Sequence, residues 1–375
     1  MKLRTIQSTL AALILLFGNV IALQQSYSTT DGVKFRIEIV LDHLEIPWSI
    51  VFDQDGNMYF TERPGRLQVL RKGQLKPILI AELKEVAHRG EGGLMGLAFH
   101  PKFSSNKFAY LSYTASLKGD LVNKVVRFTL ENNRLMDGVD IIPRLPGSSV
   151  HNGCRLRFGP DGKLYVTTGD AADREIAQDK KSLGGKILRL NDDGSIPSDN
   201  PDPKSAIYAV GVRNPQGIDF HPQTGLLFET EHGPSGFDGP GGGDEVNIIE
   251  SGRNYGWPEI HHKVKRVGME SPLLEYTPAV APASGMFYRG SAFPKFKNNF
   301  FFGCLRGQKL IRVILDEKDP RKVAREEHLF EAEFKRIREI AEGPDGYLYF
   351  STSNRDGRAR PFENDDRILR LVPLP

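Results

Sequence analysis

The sequence predicts an all-β chain folded as a six-bladed β-propeller with four-stranded antiparallel blades, and three observations carry that expectation. Strand–turn–strand cassettes recur along the chain, beginning near Trp48, Gly93, His151, Asn214, Ser284 and Ile337. Their centres lie roughly 50 to 70 residues apart, the length of one four-stranded blade with long loops. Few stretches hold a 3.6-residue period; the best, Lys335 to Ile340, is too short and too β-branched for a helix. Polar residues open the cassettes, so in a closed ring they gather at one mouth of the channel, where a ligand would sit.

The N-terminus reads as a secretory leader over residues 1–28, with Lys2 and Arg4 as its basic end, Leu10 to Ala22 as its apolar run and a polar GlnGlnSerTyrSer after it. The run is short for a bilayer span, so the expected product is an exported protein, periplasmic or extracellular, without stable membrane insertion after cleavage; an uncleaved leader would make it a surface anchor. No charge occurs between Arg4 and Asp31, so losing Lys2 and Arg4 takes the formal charge from +3 to +1. That balance gives no reason to expect nucleic acid as a partner. With 375 residues and 39% hydrophobic content, the remainder (31–375) can bury one large core as a single domain. The two cysteines, Cys154 and Cys304, are no disulfide framework and are expected free and buried.

Phe35 to Leu41 alternates as a strand that closes the ring. Ile46 to Leu70 is a sheet unit turning at Asp55-Gly56. Gly93 to Thr114 repeats the scheme, with Asn123 to Leu130 as its partner strand. The third unit runs from His151 through Tyr165 to Asp170 and on to Ser182–Leu190. Arg213 to Gly233 is the fourth, Ala283 to Leu315 the fifth, and Ile337 to Ser353 the sixth, followed by an outer strand from Asp366. The Gly-rich stretch Gly233 to Gly243 separates strands within a blade, not domains.

Three groups of residues bear on chemistry. His151 stands just before an apolar strand and Asp170 ends the next one, so an antiparallel return brings carboxylate to imidazole. Such a carboxylate fixes the tautomer and leaves the other ring nitrogen free to take a proton. Both residue types are also common turn formers, and an isolated histidine there is more often a satisfied polar residue. Arg213 with Asn214 opens the fourth unit, Arg306 lies in the fifth, and Arg336 with Arg338 opens the sixth at a spacing that shares one strand face. Several guanidinium forks around one cavity suit a ligand with several carboxylates or phosphates; a solvated basic patch is the plainer reading. The acidic, glycine-rich Glu231 to Glu245 offers carboxylate and carbonyl oxygens of the kind hard cations take. Trp257, in Gly252 to Pro258, reads as core, and His261-His262 as surface. The chain lacks a Gly-x-Gly-x-x-Gly turn after an early strand, a phosphate-loop lysine motif, Cys-x-x-Cys-His and Gly-x-Ser-x-Gly, which speaks against nicotinamide, nucleotide, covalent haem and a serine nucleophile.

The blocks PWSIVF…TERPGRL, GGLMGLAFHP, HNGCRLRFGPDGKLYVTTGD, SLGGKILRL, RNPQGIDFHP, EHGP…GDEVN, GRNYGWP and KRIREIAEGPDGYLY, spread from about Leu44 to Leu371, resemble the soluble quinoprotein glucose/sorbosone dehydrogenase family, especially its aldose sugar dehydrogenase branch. The resemblance implies a propeller that binds pyrroloquinoline quinone and calcium over the channel and oxidises aldoses at C1 to lactones, passing electrons to an external acceptor. By the same resemblance His151 is the catalytic base, Asp170 the carboxylate that orients it, and Arg213 the residue that polarises the quinone carbonyl, with Asn214 a cofactor contact beside it. Arg336 and Arg338 face cofactor carboxylates, and Arg306 stands where members often have lysine. Backbone carbonyls of Gly233 and Pro234 resemble ligands of the cofactor-bound calcium, and Glu245 and Tyr255 match positions of a second, structural calcium in some relatives.

Two departures stand out. Glu91 lies where the family commonly has glutamine near the cofactor, and its charge repels a polycarboxylate unless arginine, calcium or protonation compensates. Val150 lacks the carboxylate that glucose-oxidising relatives place beside the base, which weakens a glucose preference. Two other classes fit the fold: a calcium-dependent propeller lactonase or related hydrolase, which needs no ring of arginines, and a non-catalytic binding module, which needs no His151–Asp170 pair. Closed propellers need no partner to fold, so a monomer is the default.

Overall fold

The computed structural model describes residues 25–375, and the basic end and apolar run of the expected leader lie outside the described residues. Six antiparallel sheets follow one another along the chain. The first blade comprises Pro47–Phe52, Met58–Glu62, Arg66–Leu70 and Ile78–Glu82, and each later blade repeats the plan from inner to outer strand. The inner strands are Pro47–Phe52, Leu94–Phe99, Gly153–Phe158, Pro215–Phe220, Pro282–Phe287 and Ile337–Glu342. Each packs against the next and the sixth returns to the first, so the ring is closed.

Five sheets have four strands and the sixth has five. Lys34–Leu41 pairs with Ile368–Pro373, which places the N-terminal strand outside the C-terminal one. The strand from Asp366, expected on the outside, is therefore third in its sheet, because the chain's two ends close the ring by pairing. Ser26–Ser28, at the end of the expected leader, adds a further strand against Lys34–Arg36. The bidentate pair between Asp31 and buried Arg312 of the fifth blade holds the turn after it, at 3.0 and 2.9 Å.

Apolar residues alternate along the strands, and each blade presents one side to its neighbour. The core is accordingly distributed over six layers, one per junction: Leu67 and Leu111 meet between the first two blades, Val125 and Leu188 between the next two. Ile187 meets Leu227, Phe228 meets Phe300, Phe301 meets Phe350, and Tyr349 meets Phe60 at the remaining four. Trp48, Met95 and Cys154, one from each of three inner strands, form a small cluster toward the channel. Below it the buried Arg155 guanidinium lies 4.0 Å from the Trp48 ring and 2.6 Å from Glu339, whose other oxygen accepts from Ser284. This pair joins the inner strands of the third and sixth blades. Cys154 and Cys304 are both buried and unpaired. Among the described residues no helix is long and apolar enough to cross a membrane.

Candidate active site

Antiparallel blades place the start of each inner strand and the end of each second strand at the same mouth. His151 and Gly153 start the third blade, and Asp170 follows its second strand, Leu164–Thr168. The His151 backbone sits at φ +54°, an unfavourable conformation for a non-glycine residue, and is tied on both sides. Its N–H donates to Glu91 Oε2 at 3.1 Å and its carbonyl accepts from Ala171 N–H at 3.1 Å. Gly169 permits this approach: a Cβ there would stand 1.9 Å from the His151 carbonyl oxygen.

The imidazole Nδ1 lies 2.7 Å from Asp170 Oδ1, with both residues buried. Asp170 is fully committed. Oδ1 also accepts from Ala172 N–H at 2.9 Å, and Oδ2 accepts from the indole Nε1–H of Trp257 at 2.9 Å. The other imidazole nitrogen, Nε2, lies 3.0 Å from Arg213 Nη2. Since arginine only donates, this network assigns the Nδ1–H tautomer, with Nε2 as acceptor. Arg213 is itself held by Asp238 (2.8 and 2.7 Å), Ser235 Oγ (2.9 Å) and the His232 carbonyl (3.0 Å), and its guanidinium lies 5.4 Å from the Trp257 ring. Phe237, largely exposed, covers His151 with its ring nearly parallel at 6.1 Å.

Of these groups His151, Arg213, His232, Ser235 and Phe237 line a cavity of about 390 Å3 over the channel, within the size range of small-molecule sites. Six arginines reach it (Arg63, Arg213, Arg306, Arg336, Arg338 and Arg358) against the carboxylates of Glu91, Asp244 and Asp356. Asp356 Oδ2 accepts from Arg336 Nε at 2.9 Å and Nη2 at 2.7 Å and stands 3.7 Å from Arg338. Burial, only partly offset by Asp356 and aggravated by neighbouring Arg63 and Arg336, pushes Arg338 below the ordinary guanidinium range. Arg63 Nε is buried without a partner among the described residues. A crowded, under-neutralised set of guanidinium groups fits a planar polyanion such as a tricarboxylic quinone. Arg306 and Arg358 are exposed, at the edge of the site, whereas the other four are buried.

Gly233 and Pro234 also line the cavity, and Asp244 anchors their loop by accepting from the Gly233, Val280 and Ala281 N–H groups at 2.8, 2.7 and 2.6 Å. Asn214 does not line it: fully buried, its Oδ1 accepts from Gly153 N–H at 3.2 Å and Gln216 at 2.9 Å, so it braces the wall from behind. Glu245 and Tyr255 lie away from the cavity. Glu245 joins Glu229 and Glu231 around the amide nitrogen of Asn247, at 3.2, 3.1 and 3.2 Å, whereas the Tyr255 hydroxyl is committed to the Ile248 carbonyl and the Glu250 N–H. Burial, reinforced by mutual repulsion, raises Glu229 and Glu245 well above the carboxylate range. Glu229 Oε1 and Asn247 Oδ1 have no partner among the described residues, and this hard-oxygen set fits a cation. His151, Asp170 and Asp238 also offer ligand atoms within 4.8 Å of one another. There, however, the imidazole–carboxylate hydrogen bond and the Arg213 guanidinium already occupy those atoms.

Sequence reasoning missed Trp257 as the anchor of Asp170, Asp238 as the partner of Arg213, and Asp356, Arg358, Arg63 and His232 at the mouth. The available signal was positional. TER at 61–63, TTGD at 167–170, TEHG at 230–233 and STSNRDGR at 351–358 all span the end of a second strand, where antiparallel pairing delivers polar groups to the mouth.

Known proteins share this fold. The family model Glucose / Sorbosone dehydrogenase matches residues 44–369. A glucose dehydrogenase-type oxidoreductase structure from Thermus thermophilus is 42% identical, covers 90% of this chain and 100% of its own, and superposes with a TM-score of 0.82. The PQQ-bound aldose sugar dehydrogenase of Streptomyces coelicolor is 31% identical, with 91% and 99% covered and a TM-score of 0.80. Aldose sugar dehydrogenase YliI of Escherichia coli is 31% identical over 86% of this chain and 91% of its own.

Proposed function

This chain belongs to the glucose/sorbosone dehydrogenase family, and from that premise we propose that it is a quinoprotein aldose sugar dehydrogenase, oxidising the C1 hydroxyl of aldoses to the lactone. The observation that carries the reading is the Asp170–His151–Arg213 chain at the wall of an arginine-lined cavity. When bound, pyrroloquinoline quinone supplies the two-electron acceptor for the C1 hydride.

The protein's own part is to position, deprotonate and stabilise. Arg336 and Arg338, held in register by Asp356, and Arg63 with its unpartnered Nε would receive cofactor carboxylates. His151 Nε2, the acceptor nitrogen of the Asp170-fixed tautomer, takes the proton of the C1 hydroxyl as the C1–H bond breaks and the C1 carbonyl forms. Arg213 then faces the oxygen on which charge gathers, in a buried setting where a fixed guanidinium is worth more than in water. Gly233 and Pro234 carbonyls would hold calcium beside the cofactor. Glu245, with Glu229, Glu231 and Asn247, would hold a second, structural ion, and Tyr255 contributes packing there. Electrons leave to an external acceptor, since the chain carries no haem motif. We place the protein outside the cytoplasm on the strength of its leader-like N-terminus.

The test is dye-linked oxidation of an aldose panel by purified apoprotein, with the quinone and calcium added separately and together. Turnover that needs both supports the reading. Folded protein that stays silent and does not bind the quinone overturns it and favours the lactonase.

A further inference from the structure

Glu91 is an acid in a basin built for an anion. It lies in the segment leading into the second blade, and its two oxygens point to different partners. Oε2 accepts from the backbone N–H of His151 at 3.1 Å, and Oε1 pairs with Arg358 Nη1 at 2.7 Å. Arg358 comes from the sixth blade, in the loop between Leu348–Thr352 and Ile368–Pro373, so the pair crosses the entrance over the first blade. The loop end is not slack: Arg358 N–H donates to Asp356 Oδ1 at 3.0 Å, while the other oxygen of Asp356 holds Arg336. Glu91 is further fastened by its own N–H, which donates to the Ser149 carbonyl at 2.7 Å. One carboxylate thus links the loop that holds Arg336 through Asp356 to the strained backbone of His151.

We propose that Arg358 is a positioning residue that acts through Glu91: it cancels this carboxylate at the cavity wall and holds it on the His151 N–H. This rests on the quinoprotein reading. Burial alone would raise Glu91, yet Arg358 and the neighbouring histidines outweigh it and pull it down to about 2, so Glu91 is ionised whenever the enzyme works and needs its counter-charge. An ordinary surface ion pair would be worth little. This one differs because Glu91 faces the cavity and its second oxygen is already committed to the base's backbone.

The decisive experiment is equilibrium titration of calcium-loaded apoprotein with pyrroloquinoline quinone, followed by the quinone's own absorbance, in the parent, R358A, E91Q and E91Q/R358A. R358A should bind the quinone about ten- to a hundredfold more weakly, since a bare carboxylate then faces the ligand at short range. E91Q should bind at least as tightly as the parent. The double variant should return to within about threefold of it, because glutamine keeps an acceptor for the His151 N–H without the charge. R358K, which retains charge, should lie between the parent and R358A, and it stands in if R358A does not fold. Parental affinity in R358A, or in R358K and E91Q/R358A alike when R358A is unfolded, would overturn the proposal. So would a double variant as weak as R358A, which would mean that Arg358 touches the ligand directly. A folded parent that binds no quinone would instead remove the dehydrogenase reading on which the proposal stands.

Discussion

Replacing Asp170 with asparagine tests the catalytic geometry most sharply, because three donors converge on that carboxylate. Oδ1 receives Ala172 N–H and faces His151 Nδ1, and Oδ2 receives Trp257 Nε1–H. Asparagine has one oxygen and one NH2, so either orientation sets donor against donor at 2.9 Å. With the NH2 toward His151 and Ala172, the imidazole must accept at Nδ1 and carry its proton on Nε2, where the base has to be free. A wrong-tautomer lesion of this kind costs about 10,000-fold in kcat, roughly 5.5 kcal/mol. With the NH2 toward Trp257, the tautomer survives and only the charge facing the imidazolium is lost, roughly 1.5–3 kcal/mol or about ten- to a hundredfold. Trp257 opposes this milder orientation as Ala172 N–H opposes the other, so removing the indole N–H should favour it, which gives the prediction its second half. D170N should fall by about 1,000- to 10,000-fold in dye-linked aldose oxidation at saturating quinone, while D170N/W257F, relieved of the indole N–H, should be faster than D170N alone. Quinone affinity, read by titration, should change little in D170N. A D170N enzyme within about tenfold of the parent would refute the orienting role of Asp170.

His151→Ala should abolish turnover, by at least about 1,000-fold, with little change in melting temperature, since the side chain bonds only Asp170 and Arg213; near-normal activity would show that another group is the base. Asp31, hydrogen-bonded to Arg312 strongly enough to outweigh its burial, is lowered to about 2 from an ordinary 3.8. A carboxylate depressed in the folded state contributes stability that is present above the unfolded value and lost as pH falls through the folded one. Asp31→Asn should therefore cost about 2 kcal/mol at pH 7, with the difference from the parent shrinking between about pH 4 and pH 2 in denaturant melts. A constant difference across that range would contradict the assignment.

The propeller was legible because its evidence is local. Each cassette carries its own alternation and turn, and Asp55-Gly56, Asp161-Gly162 and Asp345-Gly346 place glycine at the positive φ those turns require. His151 with Asp170, and Arg336 with Arg338, were legible for the same reason: both partners lie in one unit, and strand geometry decides whether they meet. The groups that complete the site are remote in sequence. Trp257 reaches Asp170 from the loop of another blade, which is why it read only as core. Asp238 reaches Arg213 from a glycine-rich loop whose composition pointed to a cation rather than to an arginine partner. No periodicity reports such meetings, since they depend on how two loops fold over a finished ring. The outer edge of the sixth blade was misjudged for a related reason, as ring closure is a pairing between the chain's two ends.

Arg213 shows why those remote groups matter to turnover. Its guanidinium donates through Nε to Asp238, through Nη1 to the His232 carbonyl, and through Nη2 to both Ser235 Oγ and His151 Nε2. A substrate hydroxyl can give its proton to Nε2 only after Arg213 has released that nitrogen. The exchange is favourable when an oxygen gathering negative charge arrives, because a guanidinium bonds an anionic oxygen more strongly than a neutral imidazole nitrogen. Asp238 stays paired through Nε during that turn, so the guanidinium pivots about a fixed point instead of searching. The same arginine therefore covers the base nitrogen and turns to the reacting oxygen as that nitrogen takes the proton. Removing Asp238 would remove the pivot while leaving every group that touches the substrate intact.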